Sequence, residues 1–192
     1  MKVICFGDSN TWGYDPRSCL GGRYEPDSRW ADILAAKTGW AVSNWGLNGR
    51  GIPRAAPAFP ADTGALLVML GTNDLLQGSG PAAAAERMEQ FLRSVDLGRE
   101  RLWLIAPPPL AWGEWVRSRQ LIEDSRIFAR CCRSLAAALG IRFSDAGAWG
   151  VETAFDGVHF TARGHRAFAA GLLGELPAWR ARHPAPQNRR SI

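Results

Sequence analysis

Ala65-Leu66-Leu67-Val68-Met69-Leu70-Gly71-Thr72-Asn73-Asp74 is the stretch on which the reading of the fold turns. Its first six residues are apolar without interruption, and Gly71 ends the run in a polar turn. A continuous apolar run of this kind fits a strand buried on both faces, as the strands of parallel sheets are.

Working outward, short apolar runs alternate with longer helical patterns. Upstream, Val3 to Phe6 reads as a first strand, bounded sharply by Gly7-Asp8. Arg29 to Thr38 reads as a helix, with Trp30, Ile33, Leu34 and Lys37 spaced three and four apart. Ser28 or Asp27 is placed to cap it and Gly39 to end it. Trp40 to Trp45 is a second strand. Downstream, a helix from about Ala82 to Ser94 precedes a strand from Arg101 to Ala106, which Pro107-Pro108-Pro109 stops. A long helix of about Arg117 to Leu139 ends at Gly140, and Ile141 to Ser144 is a short fifth strand. Thr161 is placed to cap a last helix, in which Phe168, Leu172 and Leu176 repeat every four residues.

This alternation predicts an α/β fold with a doubly wound sheet of about five parallel strands. Ligands of such sheets bind beyond the carboxyl ends of the strands. Chemistry is therefore expected in the loops that start at Gly7, Gly46, Gly71, Pro107 and Ala146.

Bulk composition narrows the class. A length of 192 residues suits one domain, expected over residues 1–179. With 46% hydrophobic and 21% charged residues, the chain has the composition of a globular protein, not a disordered one. No apolar run approaches the ~20 residues of a membrane helix, and no signal peptide is visible before the Gly7-Asp8-Ser9 turn. Both absences lead us to expect a cytoplasmic protein without a membrane partner. The net charge of +5 is concentrated in residues 180–192, where Arg180, Arg182, Arg189 and Arg190 occur with no acid. A basic end with Pro184 and Pro186 reads as a solvated, flexible tail, and no nucleic-acid partner is expected. The cysteines Cys5, Cys19, Cys131 and Cys132 form neither a CxxC nor a Cys/His pattern, so reduced thiols and no metal are expected.

Four of the five loops hold polar residues suited to one reaction. Gly7-Asp8-Ser9-Asn10 follows the first strand, Asn44-Trp45-Gly46-Leu47-Asn48-Gly49 closes the second, Gly71-Thr72-Asn73-Asp74 follows the third, and Asp156-Gly157-Val158-His159 lies beyond the fifth. Acyl transfer needs a hydroxyl nucleophile, a base, a group that fixes the base's tautomer, and donors for the oxyanion. Ser9, His159 and Asp156 suit the first three roles. The backbone N–H groups of Ser9 and Gly49 and the side-chain amide of Asn73 suit the last. Gly49 has no Cβ to hold a ligand away from its N–H.

At the same positions the chain resembles the SGNH hydrolases, also called GDSL esterases and lipases. The serine of Gly-Asp-Ser, a glycine after the second strand, the asparagine of Gly-x-Asn-Asp and the histidine of Asp-x-x-His occur in that order as Ser9, Gly49, Asn73 and His159. The blocks run from residue 3 into the last helix. The resemblance implies a flavodoxin-like three-layer α/β/α sandwich and a serine esterase with an acyl-enzyme on Ser9, an oxyanion hole and no cofactor. It implies a small-molecule ester or an acylated sugar as substrate, and the bulky aromatic residues near the site lean towards a short acyl group. An acyltransferase and a carbohydrate O-deacetylase would use the same site, and a noncatalytic binding module would have no need of all four residues. One departure is Asn10, where the family's usual label has leucine; this position is expected to bear on packing or substrate contacts. In the second block Gly46, Gly49 and Gly51 compete for the donor role, and the spacing from Asn44 favours Gly49.

Other residues divide on placement. Asp8 reads as a helix cap or loop brace, and Asp74 as a loop brace beside Asn73. Of the rival histidines, His165 reads as a surface or packing residue and His183 lies in the tail. Trp30, Trp40, Trp103 and Trp179 fall in regular patterns and read as packing. Trp12 is placed to line a substrate pocket, with Asn10 as a further contact, while Trp112 and Trp115 either wall that pocket or fill surface. The loop from Asn10 to Pro26 is expected either to border the site or to join copies of the chain in a homo-oligomer.

Overall fold

The computed structural model describes residues 1–18 and 20–182, those from 177 onward by their backbone alone. Five strands alternate with helices: β1 (Lys2–Gly7), α1 (Ser9–Trp12), α2 (Trp30–Thr38), β2 (Ala41–Gly46), β3 (Ala65–Met69), α3 (Thr72–Leu76), α4 (Pro81–Arg93), β4 (Leu102–Ala106), α5 (Arg119–Leu139), β5 (Arg142–Asp145) and α6 (Ala162–Arg182). The strands form one sheet in the order β2-β1-β3-β4-β5, and every pairing is parallel. This is the flavodoxin-like order, which reverses between β1 and β3 and opens a crevice at their carboxyl ends.

Strand pleating sorts the core into two halves. Ile4, Phe6, Leu66, Val68, Leu70, Leu102 and Leu104 pack with Met88 and Phe91 of α4 and Phe128 and Leu135 of α5. Their neighbours Val3, Cys5, Ala65, Leu67, Met69, Trp103 and Ile105 face the other way, onto Trp30 and Leu34 of α2 and Phe168 and Leu172 of α6. Alternate residues of each central strand thus feed opposite layers, giving the three-layer sandwich. All five residues of β3 are buried, as its uninterrupted apolar run requires.

Several local expectations hold and some do not. Gly39 and Gly140 end α2 and α5 in the left-handed conformation. Thr161 Oγ1 accepts the Gly164 N–H at 2.9 Å at the head of α6. Neither Ser28 nor Asp27 caps α2; both lie in a 3-10 turn over Pro26–Ser28, and Arg29 takes the cap position without a side-chain bond. The turn is seeded by Pro26, whose fixed φ suits a helical start. Helix α6 runs through Arg182. The rest of the expected tail with His183, as well as Cys19 and the Trp179 side chain, lies outside the described residues. No helix of the described residues is long and apolar enough to cross a membrane.

Candidate active site

The site grows from the end of β1. Asp8 Oδ1 accepts the Asn10 N–H at 2.9 Å, a cap that starts α1 at Ser9. Ser9 is the first residue of that helix, where the N–H has no helical acceptor. On the neighbouring strand ends stand the other two donor candidates. Gly49 lies beyond β2 in a tight turn closed by Arg50 N–H to Leu47 O at 3.1 Å. Its φ of +73° is the value that the third position of a type II turn takes, and a side chain there would be strained. Gly46, its rival, donates its N–H to Asn44 Oδ1 at 2.9 Å. Gly51 lies against the Asp74 carboxylate. Asn73 lies in the first turn of α3, half-buried, with Nδ2 donating to Arg50 O at 3.1 Å. An amide nitrogen carries two hydrogens, so one donor remains after that bond.

Arg50 ties these strand ends together. Its guanidinium donates to Gly7 O at 3.1 Å and to Trp45 O, and it stacks over the Phe6 ring at 4.3 Å. Asp74 braces the same region by accepting the Ile52 N–H at 2.9 Å and pairing with Arg87 at 3.3 Å.

The far end of the chain closes the site. His159 Nε2 is 3.0 Å from Ser9 Oγ, and His159 Nδ1 is 2.7 Å from Asp156 Oδ2. Asp156 Oδ1 accepts the N–H groups of Val158 at 2.8 Å and of His159 at 2.9 Å. One carboxyl group therefore shapes its own loop and orients the imidazole. All three residues are buried. Burial pulls the Asp156 pKa upward, but the bonds from the His159 ring and from the two N–H groups outweigh it, and the net shift is downward. An ionised carboxylate holds the proton on Nδ1 and leaves the Nε2 lone pair for the Ser9 hydroxyl. Asp8, also buried, is shifted the other way. Desolvation lifts its pKa to about 6, against the bonds it accepts and the nearby His159.

The sequence candidates are thus sorted. Ser9, Asp156 and His159 come together, while the remaining aromatic candidates separate. Trp115 sets its ring at 5.1 Å from the His159 ring, edge-on at 80°, yet is 56% exposed and so open to a ligand. Trp112 is exposed and Trp12 stacks with Arg23 at 5.3 Å; neither makes a ring contact with His159 among the described residues. Asn10, expected to bear on packing or substrate contacts, is buried and packs against the loop that carries His159. Its carboxamide oxygen accepts the Phe160 N–H at 2.8 Å, and its amide donates to Val158 O at 3.1 Å. His165 is a packing residue, with Tyr24 and Phe160 rings each 5.3 Å away, and burial drops its pKa to about 3. Tyr14 was not among the candidates, although its ring lies 4.5 Å from that of His159. The Asn10 to Pro26 loop thus borders the site through Tyr14. Tyr14's only sequence signal is its place just beyond the nucleophile turn. No group of three or more His, Cys, Asp and Glu among the described residues is placed to hold a metal ion.

Known structures share this architecture. A candidate arylesterase from Agrobacterium tumefaciens is 30% identical over 92% of this chain and 98% of its own, with a TM-score of 0.77. A carbohydrate acetylesterase family member from Sinorhizobium meliloti is 26% identical over 94% and 99%, with a TM-score of 0.78. The aryl esterase of M. smegmatis is 26% identical over 93% and 99%, also with a TM-score of 0.78. No curated protein matches the chain in sequence. The profile of the GDSL-like lipase/acylhydrolase family matches residues 5–167, which take in Ser9, Gly49, Asn73, Asp156 and His159, and the chain belongs to that family.

Proposed function

We propose that this carboxylic ester hydrolase works through an acyl-enzyme on Ser9. The observation that carries the reading is the unbroken run Asp156–His159–Ser9, with contacts of 2.7 and 3.0 Å. The Ser9 hydroxyl donates to His159 Nε2, and as Oγ attacks the ester carbonyl the proton passes to that nitrogen. Asp156 holds Nδ1–H and stabilises the imidazolium. The Ser9 and Gly49 N–H groups and the free Asn73 amide hydrogen serve the oxyanion. Collapse of the tetrahedral intermediate expels the alcohol, which takes the proton from Nε2. Water, deprotonated by the same nitrogen, then releases the acid and regenerates Ser9.

The leaving alcohol must pass His159 Nε2, so the rings beside the imidazole border the alcohol. Tyr14 and Trp115 offer flat, largely apolar faces there. An aromatic alcohol or one face of a sugar suits such a lining. Short acyl esters of these alcohols fit with the arylesterase and carbohydrate acetylesterase names of the similar structures.

The test is hydrolysis of p-nitrophenyl esters from acetate to palmitate by wild type, Ser9→Ala and His159→Ala. Activity peaking at acetate or butyrate and falling by about 10³-fold or more in both variants is expected. If both variants keep most of the hydrolysis, the mechanism is wrong.

A further inference from the structure

Asn10 sits beside the nucleophile in sequence and beside the base in space. Its Nδ2 donates to the carbonyl of Val158, and its Oδ1 accepts the N–H of Phe160. These are the residues on either side of His159. Both assignments are forced, since a backbone carbonyl only accepts and a backbone N–H only donates. The main chain of Asn10 is held as firmly: its N–H bonds to Asp8 Oδ1 at 2.9 Å, and its carbonyl accepts the Trp30 indole N–H at 3.0 Å. The residue is 4% exposed, and both polar atoms of its side chain are engaged. The leucine found in the family's usual label has no donor or acceptor and makes neither bond.

From this geometry we infer that Asn10 is a positioning residue that sets the separation between Ser9 Oγ and His159 Nε2. The inference rests on Ser9 and His159 acting as nucleophile and base. The two atoms lie 3.0 Å apart but come from positions 150 residues apart in the chain. Packing alone leaves a loop free to shift by fractions of an ångström, and a proton transfer is sensitive to such shifts. A carboxamide that grips the backbone on both sides of His159, from the residue next to Ser9, couples the two loops directly. Asn10 acts through these neighbours and touches no substrate.

Two variants test this. Asn10→Leu removes both bonds, while Asn10→Asp keeps the shape. As a protonated acid, the aspartate side chain donates to Val158 O and accepts from Phe160 N–H; as a carboxylate, it has no donor and faces a carbonyl oxygen. With p-nitrophenyl acetate, Asn10→Leu is expected to lose about 10- to 100-fold in kcat with KM nearly unchanged. Phosphonylation of Ser9 by an organophosphorus probe should slow in parallel. The kcat of Asn10→Asp divided by that of wild type should fall as pH rises. Asp8 and the Asp156–His159 pair lie beside the position, so wild type measured over the same pH range is the reference.

A residue needed only for stability would lower Tm in both variants and leave kcat per reactive serine at the wild-type value at every pH; that result overturns the inference. If Asn10→Leu does not fold, the isosteric Asn10→Asp decides by its pH-dependent ratio. Failure of the underlying mechanism has a separate mark, wild-type-like hydrolysis by Ser9→Ala, which does not depend on any Asn10 variant.

Discussion

Asp8 is 1% exposed, and its carboxyl holds its proton up to about pH 6, mainly because burial disfavours the charge. In the unfolded chain the same group ionises near 3.8. Between these values the native state binds a proton that the unfolded state has released. The contribution of Asp8 to stability is therefore fully present below about pH 3.8 and is lost as pH rises through about 6. Asn in its place keeps an acceptor for the Asn10 N–H and removes the titration. The Tm of Asp8→Asn relative to wild type should rise from about pH 4 to about pH 7. An unchanged difference over that range would show that the Asp8 carboxyl titrates alike in both states. Residue identity revealed much here and contact little. Gly-Asp-Ser announces a turn and a cap, so Asp8 and Ser9 were legible. That Asn10 spends its amide on residues 158 and 160, or that Tyr14 reaches His159, depends on contacts across almost the whole chain. No local spacing encodes these.

At the scale of elements, the loop between β4 and α5 is stitched to the loop that carries the base. Ala111 N–H bonds to Gly157 O at 2.9 Å, Glu114 N–H to Phe155 O at 3.0 Å, and Trp115 N–H to Asp156 O at 3.1 Å. The approach is close because glycine stands on both sides: a Cβ on Gly113 would lie 2.4 Å from Asp156 C, and one on Gly157 2.1 Å from Ala111 O. This stitching, absent from any motif, is why Trp115 rather than Trp112 meets His159. Gly157→Ala should push the two loops apart. Its φ is +80°, whereas Gly140, with φ +65°, has nothing within 4 Å of an added Cβ. Both substitutions place alanine in left-handed backbone, at about 1–2 kcal/mol. Only Gly157→Ala should also lower kcat, by roughly 10-fold or more, as Asp156 shifts beside it. Equal kcat in the two variants, measured with p-nitrophenyl acetate, would show that the stitching has no bearing on the triad. Helix limits, by contrast, were readable to within about two residues, because Gly39, Gly140 and Thr161 act locally. The cap of α2 was not, since Pro26 starts a 3-10 turn that takes up Asp27 and Ser28.

In the whole molecule, the parallel sheet was legible because its central strands are buried on both faces and so must read as apolar runs. Strand order was not written in any run; it came from the resemblance, which drew on motifs at strand ends. The order has a meaning in time as well as in space. Ser9 follows β1, which lies inside the sheet between β2 and β3, yet His159 comes only after all five strands. A contact spanning 150 residues forms once the intervening chain is in place, since closing so long a loop early brings no compensating packing. On refolding from denaturant, helical circular dichroism should return before reactivity of Ser9 toward an organophosphorus probe. Simultaneous recovery of the two signals would mean that the ends of the chain meet as early as its helices form. With the delay, the newly made chain carries an inert serine until its fold is complete, and hydrolysis itself becomes the readout that the last loop has arrived.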